Sequence, residues 1–100
     1  MPNRKKLEPI HPGEILLEDF MKPMGLSINR LAREIMVAPG RVSEIVNGKR
    51  AISADTALRL GKAFGVTPEL WLGLQSDYEL RLLRQGAWAK VESRIHPVAA

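Results

Sequence analysis

The stretch SINRLAREIMVAPGRVSEIVNGKR, residues 27–50, decides how this chain folds. Ser27 stands just before an apolar run, where its hydroxyl can accept from a backbone N–H and start a helix. Leu26 and Leu31 flank that start at the spacing of a hydrophobic staple. Leu31, Ala32 and Ile35 then fall on one helical face. Met36, Val37 and Ala38 make a tight link. Pro39 suits the first position of a second helix, where a missing N–H costs nothing. That helix turns Val42, Ile45 and Val46 to one side and Arg41, Ser43, Glu44 and Asn47 to the other, and Gly48 closes it. A core explains the first face. The second face needs another explanation.

The flanks repeat the same punctuation. MPNRKKLEPIHP, residues 1–12, carries three prolines and no period, and residues 1–11 read as a flexible basic arm. Gly13 to about Met21 forms a helix with Ile15, Leu16 and Phe20 inward and Glu14, Glu18 and Lys22 on an outer line; Pro23 and Gly25 end it. Ser53 caps a fourth helix, with Asp55 in its first turn against the dipole, and Gly65 ends it. Thr67-Pro68-Glu69 starts a fifth, with Val66 and Trp71 as a staple. The pattern runs on past Leu83 to about Ile95, broken at Gly86. No strand-like alternation survives, so the expected class is all-α: a five-helix domain over residues 12–83 and a helical extension and tail over 84–100.

Charge narrows the function. The chain carries 15 Lys+Arg against 11 Asp+Glu, a formal net charge of +4, which suits a polyanion partner. The basic weight lies in the arm and in residues 27–50. Between them, residues 12–26 hold Glu14, Glu18 and Asp19 against Lys22 alone. There is no cysteine, hence no disulfide framework. No apolar run is long enough for a membrane span or a signal peptide, so a soluble, cytoplasmic protein is expected. Catalysis finds no support. His11 and His96 each adjoin a proline in the flanks, far apart and without metal-ligand spacing, and there is no glycine-rich phosphate loop. No cofactor or metal is expected.

Two helices over residues 28–35 and 39–47, joined by about three residues, make a helix-turn-helix. Such a pair can lay its second helix in a DNA major groove, ~12 Å wide, with one face on the core and the other on base edges. That accounts for the second face. Short amphipathic helices with polar outer faces are also common in small all-α domains, so period alone leaves a purely structural role open.

SINRLAREIMVAPGRVSEIVNGKRAISADTALRLGKAFGVTPELWL resembles the Cro/repressor type of helix-turn-helix domain. HPGEILLEDFMKPMGLSINRLA, VSEIVNGKRAISADTALRLGKAFG and ELWLGLQSDYELRLL together resemble the HigA/VapI family of antitoxins, over roughly residues 10–83. The resemblance implies a five-helix domain, a homodimer, autorepression of its own operon and neutralisation of a partner ribonuclease toxin. A repressor with no toxin partner is the alternative. A protein-interaction module that has lost DNA binding is a third, which Arg41, Lys49 and Arg50 argue against.

By that resemblance Ser27 and the N–H groups behind it match a phosphate clamp, with Asn29 and Arg30 beside it. Pro39, Gly40, Arg41, Ser43 and Glu44 match groove-facing positions, and Asn47, Lys49 and Arg50 the backbone-contacting end. Arg41 can fork onto guanine O6 and N7; Glu44 can accept from a cytosine amino group or orient Arg41. Lys49 and Arg50 suit phosphate, which positions without specifying. Ser27 is equally a cap, Glu44 a solvated residue and Asn47 a helix-end residue. Two positions depart from the family. Met36 stands where glycine is usual, at a residue expected in left-handed backbone, so either Met36 bears that strain or the turn is rearranged. Gly40 replaces a long polar side chain, which shifts base reading toward Arg41.

Trp71, Leu74, Tyr78 and Leu82 recur at helical spacing on the fifth helix. The first two suit the domain's own core. Tyr78, Leu82 and Leu83 are the expected two-fold interface, with the alternative that they pack on their own chain. Two reading helices would then sit about 34 Å apart, one turn of DNA. A ribonuclease partner implies a basic surface, so the acidic first helix, with Glu14, Glu18 and Asp19, is the expected toxin-steering face. The alternative there is a solvated face with Glu18 paired to Lys22.

Overall fold

A computed structural model describes residues 8–99; among these there are six α-helices, one π-helical turn and no strand. α1 (Pro12–Ile15) runs straight into the π-helical turn (Leu16–Met21). α2 (Ile28–Glu34) and α3 (Pro39–Val46) follow, then α4 (Ala54–Phe64), the long α5 (Pro68–Gln85) and a short α6 (Trp88–Glu92). The architecture is all-α, as the sequence implies.

Caps and prolines set the starts. Ser27 Oγ accepts from the Arg30 N–H at 3.0 Å and Ser53 Oγ from the Thr56 N–H at 3.3 Å. Pro12, Pro39 and Pro68 stand at first positions, where no N–H is needed. Left-handed residues set four of the ends. The N–H groups of Leu26, Val37, Lys49 and Val66 close onto the carbonyls of Met21, Ala32, Glu44 and Gly61 at 2.8–3.0 Å. The residue before each donor has positive φ. Three are glycines; the fourth is Met36, at φ +62°, the one non-glycine in that region among the described residues.

The core gathers Leu16 and Met21, Leu31, Ala32 and Ile35 of the second-helix region, Val42 and Ile45 of α3, Ile52, Ala57 and Leu60, and Trp71. Phe20 and Phe64 lie against the Trp71 ring, with centroids at 4.8 and 6.4 Å. Met21 was not expected inside. The π-helical turn explains it: Lys22 N–H bonds to Leu17 O, five residues back, and this wider winding carries the buried line from Leu16 to Met21. Ile15 and Phe20, expected inward, are only partly buried. α1 also packs tightly on α3. A Cβ on Gly13 would overlap the Ile45 carbonyl, so glycine is required by contact there.

Two side chains carry tertiary roles that their residue types did not announce. Gln75 is buried on α5; its Oε1 accepts from the Ile52 N–H at 2.9 Å and its Nε2 donates to Glu79 at 2.8 Å. It thereby satisfies a buried donor in the link between α3 and α4. His11, assigned above to the arm, is instead the N-cap of α1. Its Nδ1 accepts from the Gly13 N–H at 2.9 Å, and its ring meets Tyr78 edge-on with centroids 4.9 Å apart. Residues 1–7 of the arm lie outside the described residues. Beyond Tyr78 the chain leaves the core: residues 79–99 are all exposed.

Met36 combines left-handed backbone with a side chain 83% exposed. Its backbone costs about 1–2 kcal/mol relative to right-handed conformations, and glycine would give back about 0.5–1 kcal/mol in unfolded-state entropy. Met36→Gly is expected to leave stability unchanged or raise it by up to about 1 kcal/mol, read from urea melts. A loss larger than that rules out strain at this turn.

Burial lowers the His11 pKa below its ordinary 6.5, with a hydrogen bond to the Arg50 backbone pulling weakly the other way. The neutral ring is the one that caps. The unfolded chain therefore binds a proton at higher pH than the folded one, and acid favours unfolding. His11's contribution is complete above the ordinary histidine pKa and declines as pH falls below it. Tm should drop between about pH 7.5 and pH 5.5, and His11→Asn, which keeps an acceptor and loses the titration, should flatten that drop. An unaltered slope in the variant removes His11 as its source.

Candidate nucleic-acid interface

α3 is seated by Val42 and Ile45, both buried, with Val46 half-buried beside them. Its opposite face is open. Pro39 and Gly40 are exposed at its start, and a Cβ on Gly40 would meet nothing within 4 Å. Arg41, Ser43, Glu44 and Asn47 continue that face, and Lys49 and Arg50 follow on the loop. The structure thus brings the expected groove-facing and loop residues onto one side. Ser27, Asn29 and Arg30 lie at the start of α2, all exposed.

The expected site residues are largely engaged within the chain. Ser27's oxygen caps α2; its O–H remains able to donate to a phosphate. Arg30 pairs with Glu34 at 3.5 Å. Asn47 Nδ2 donates to the Ser43 carbonyl at 2.8 Å, so it does close the helix end. Glu44 does not orient Arg41; it accepts from Arg50 at 3.0 Å. Lys49 is exposed and forms no ion pair among the described residues.

Arg41 is held by a residue that sequence reasoning placed only as a dipole partner. Asp55 Oδ2, in the first turn of α4, accepts from Arg41 Nη1 at 2.7 Å and from Arg59 Nε at 3.0 Å. These two hydrogen bonds, Arg41's first, hold the Asp55 carboxyl below its usual pKa range. Arg59 also reaches back to the turn between α2 and α3: its Nη1 donates to the Ile35 carbonyl at 2.8 Å and the Met36 carbonyl at 3.2 Å. The Asp55–Arg59 pair is legible as an i, i+4 spacing; its contacts with Arg41 and with the turn are tertiary. Arg33 was likewise missed. It is exposed and lines a cleft with Asn29, Val37 and Pro39, beside the expected phosphate-facing start of α2.

The other two expected surfaces divide. Tyr78 packs on its own chain through His11, whereas Leu82 and Leu83 are 46% and 58% exposed. Glu18 pairs with Lys22 at 2.7 Å, and Glu14 and Asp19 are exposed on the same segment. Among the described residues no group of histidines, cysteines or acids could hold a metal ion, and no helix is long and apolar enough to cross a membrane.

The helix-turn-helix family pattern matches residues 17–71. Virulence-associated protein I of Dichelobacter nodosus is 48% identical over 82 residues, 82% of this chain and 76% of that protein. The addiction module antidote protein of the HigA family from Coxiella burnetii superposes with a TM-score of 0.85 at 45% identity, covering 91% of this chain and 99% of that one. The Pseudomonas aeruginosa antitoxin HigA, solved with the higBA promoter, gives a TM-score of 0.86 at 39% identity over 92% of this chain and all (100%) of that one. Named relatives are transcriptional regulators and antitoxins, which are not enzymes. With the motif, the left-handed turn and these likenesses together, the chain belongs to the Cro/repressor-type helix-turn-helix family, in its HigA/VapI-like branch.

Proposed function

We propose that the chain is a sequence-specific DNA-binding antitoxin that represses its own operon as a dimer and neutralises a ribonuclease toxin in the cytoplasm. The observation that carries the DNA reading is the open face of α3: Gly40, Arg41, Ser43, Glu44 and Asn47 on one side of a helix whose other side is core, with Lys49 and Arg50 at its end. Solved relatives were determined with a promoter or an operator, which supports DNA binding by this chain. Arg41 reads a guanine, Lys49 and Arg50 grip phosphate, and Ser27, Asn29, Arg30 and Arg33 position the start of α2 on the backbone.

Arg41→Ala is expected to cost roughly 1–3 kcal/mol on operator DNA and relax preference at one base pair. Lys49→Ala should weaken operator and random duplex alike and flatten the salt slope by about one unit. The assignment fails if Arg41→Ala still separates operator from random DNA as the wild type does.

Dimerisation rests on the apolar residues that α5 and α6 present beyond the core: Leu82 and Leu83, with Leu80, Trp88 and Val91, all exposed. Tyr78 contributes through its outer edge. Toxin association rests on the acidic first segment, which leaves α3 free for DNA; Glu14 and Asp19 face outward, and Glu18 acts with Lys22 folded over it. Sedimentation tests the first and stopped flow the second. The wild type should run as a dimer at tens of micromolar and Leu82→Glu/Leu83→Glu as a monomer. Glu14→Lys/Glu18→Lys should stay dimeric yet associate with the toxin more slowly at low salt in stopped flow. A monomeric wild type removes the dimer. An unchanged association rate removes the acidic face. If no neighbouring gene encodes a ribonuclease that the chain binds, a repressor without a toxin partner remains.

A further inference from the structure

The geometry points to Asp55 as a positioning residue for base recognition: it holds the Arg41 guanidinium in the orientation in which its remaining N–H edge faces the groove. This rests on Arg41 as the reading residue. Asp55 spends one carboxylate oxygen, Oδ2, on both Arg41 Nη1 at 2.7 Å and Arg59 Nε at 3.0 Å. Among the described residues the Nε and Nη2 of Arg41 have no partner, and that edge matches the paired acceptors O6 and N7 of guanine.

A free arginine on a helix surface samples many rotamers, and docking one of them on a base costs entropy at the moment of binding. Arg41 is already partly ordered: its side chain is 29% exposed, the least of the paired arginines on the interface. Asp55 in turn is braced. Arg59 bonds the same oxygen and donates to the carbonyls of Ile35 and Met36, so the brace is anchored in the turn that fixes α3 relative to α2. The carboxylate also matters by sign. Close to the DNA surface it repels phosphate and favours the chain on DNA only where Arg41 has found its base.

The consequence is a split between affinity and specificity. Removing Asp55's charge leaves the basic surface stronger and the reading arginine looser. Wild type, Asp55→Asn, Arg41→Ala and the double variant are to be measured by fluorescence anisotropy on the chain's own upstream duplex and on a random duplex of equal length. Asp55→Asn is expected to lower the operator-to-random ratio about tenfold, with random binding equal to wild type or tighter. In the Arg41→Ala background Asp55→Asn should leave the ratio unchanged. The ratio is the discriminating readout, because any loss of folded protein lowers both affinities by the same factor. Discrimination lost in Arg41→Ala but kept in Asp55→Asn overturns this proposal alone. So does an equal drop from Asp55→Asn with and without Arg41. Full discrimination by Arg41→Ala overturns the reading assignment beneath it.

Discussion

The left-handed turn at Met36 is the constraint on which the interface depends. α2 and α3 are both short, and neither could hold its orientation by propensity alone. What fixes their angle is one residue at φ +62° with the Val37 N–H returned to Ala32 O at 2.9 Å. That reversal puts Pro39 at the start of α3 and, three residues on, Val42 into the core. The backbone cost is tolerated because the turn is braced from outside: Arg59 of α4 takes the two carbonyls that the turn leaves behind. Strain, brace and the arginine proposed to read DNA are therefore consecutive links, from Met36 through Arg59 and Asp55 to Arg41.

What the sequence disclosed is what local chemistry determines. Ser27, Pro39, Ser53 and Pro68 cap or open helices because a hydroxyl acceptor or a missing N–H acts within one turn. Gly48 and Gly65 end them because a left-handed residue must follow. The left-handed backbone at Met36 was legible only through the family resemblance, which puts glycine at that position. The illegible parts depend on who stands opposite. Nothing in the residues around Met21 marked a π-helical turn, so the buried line was extrapolated at the wrong period. Gln75 sits at a helical spacing from Trp71 that would fit an apolar residue; its burial follows from the unpaired Ile52 N–H across the chain. His11 lay between prolines and had no local sign of its contact with Tyr78. Asp55's place at a helix start is local, while its hydrogen bond to a residue 14 positions earlier is set by how α4 packs beside α3.

The ion pairs of the interface differ in kind. Arg30–Glu34 and Arg50–Glu44 join exposed side chains, and pairs of that sort contribute about 0–1 kcal/mol. A phosphate can displace either carboxylate, so such pairs oppose the proposed phosphate contacts only weakly. The Arg41–Asp55 contact is different because Asp55 has a second arginine and that arginine has the turn. Breaking it frees a side chain whose partner is tied to the turn through Arg59, whereas exchanging Glu44 for a phosphate frees one whose partner has no such tie.

His11 connects the two halves of the proposed function. It caps α1, lies within 4 Å of where a Cβ on Gly48 would stand, and meets Tyr78 where α5 leaves the core. The loop that carries Lys49 and Arg50 and the helix that carries Leu82 and Leu83 therefore rest on the same ring. In a two-fold dimer built on the outer part of α5, the separation of the two α3 helices is set by how rigidly each α5 joins its own α3. Gln75 supplies one such joint, through Ile52 in the loop after α3. His11 supplies a second, a turn further along α5. Two points of attachment on one helix fix its direction as well as its position, and direction is what carries half-site spacing from the dimer contact to the DNA.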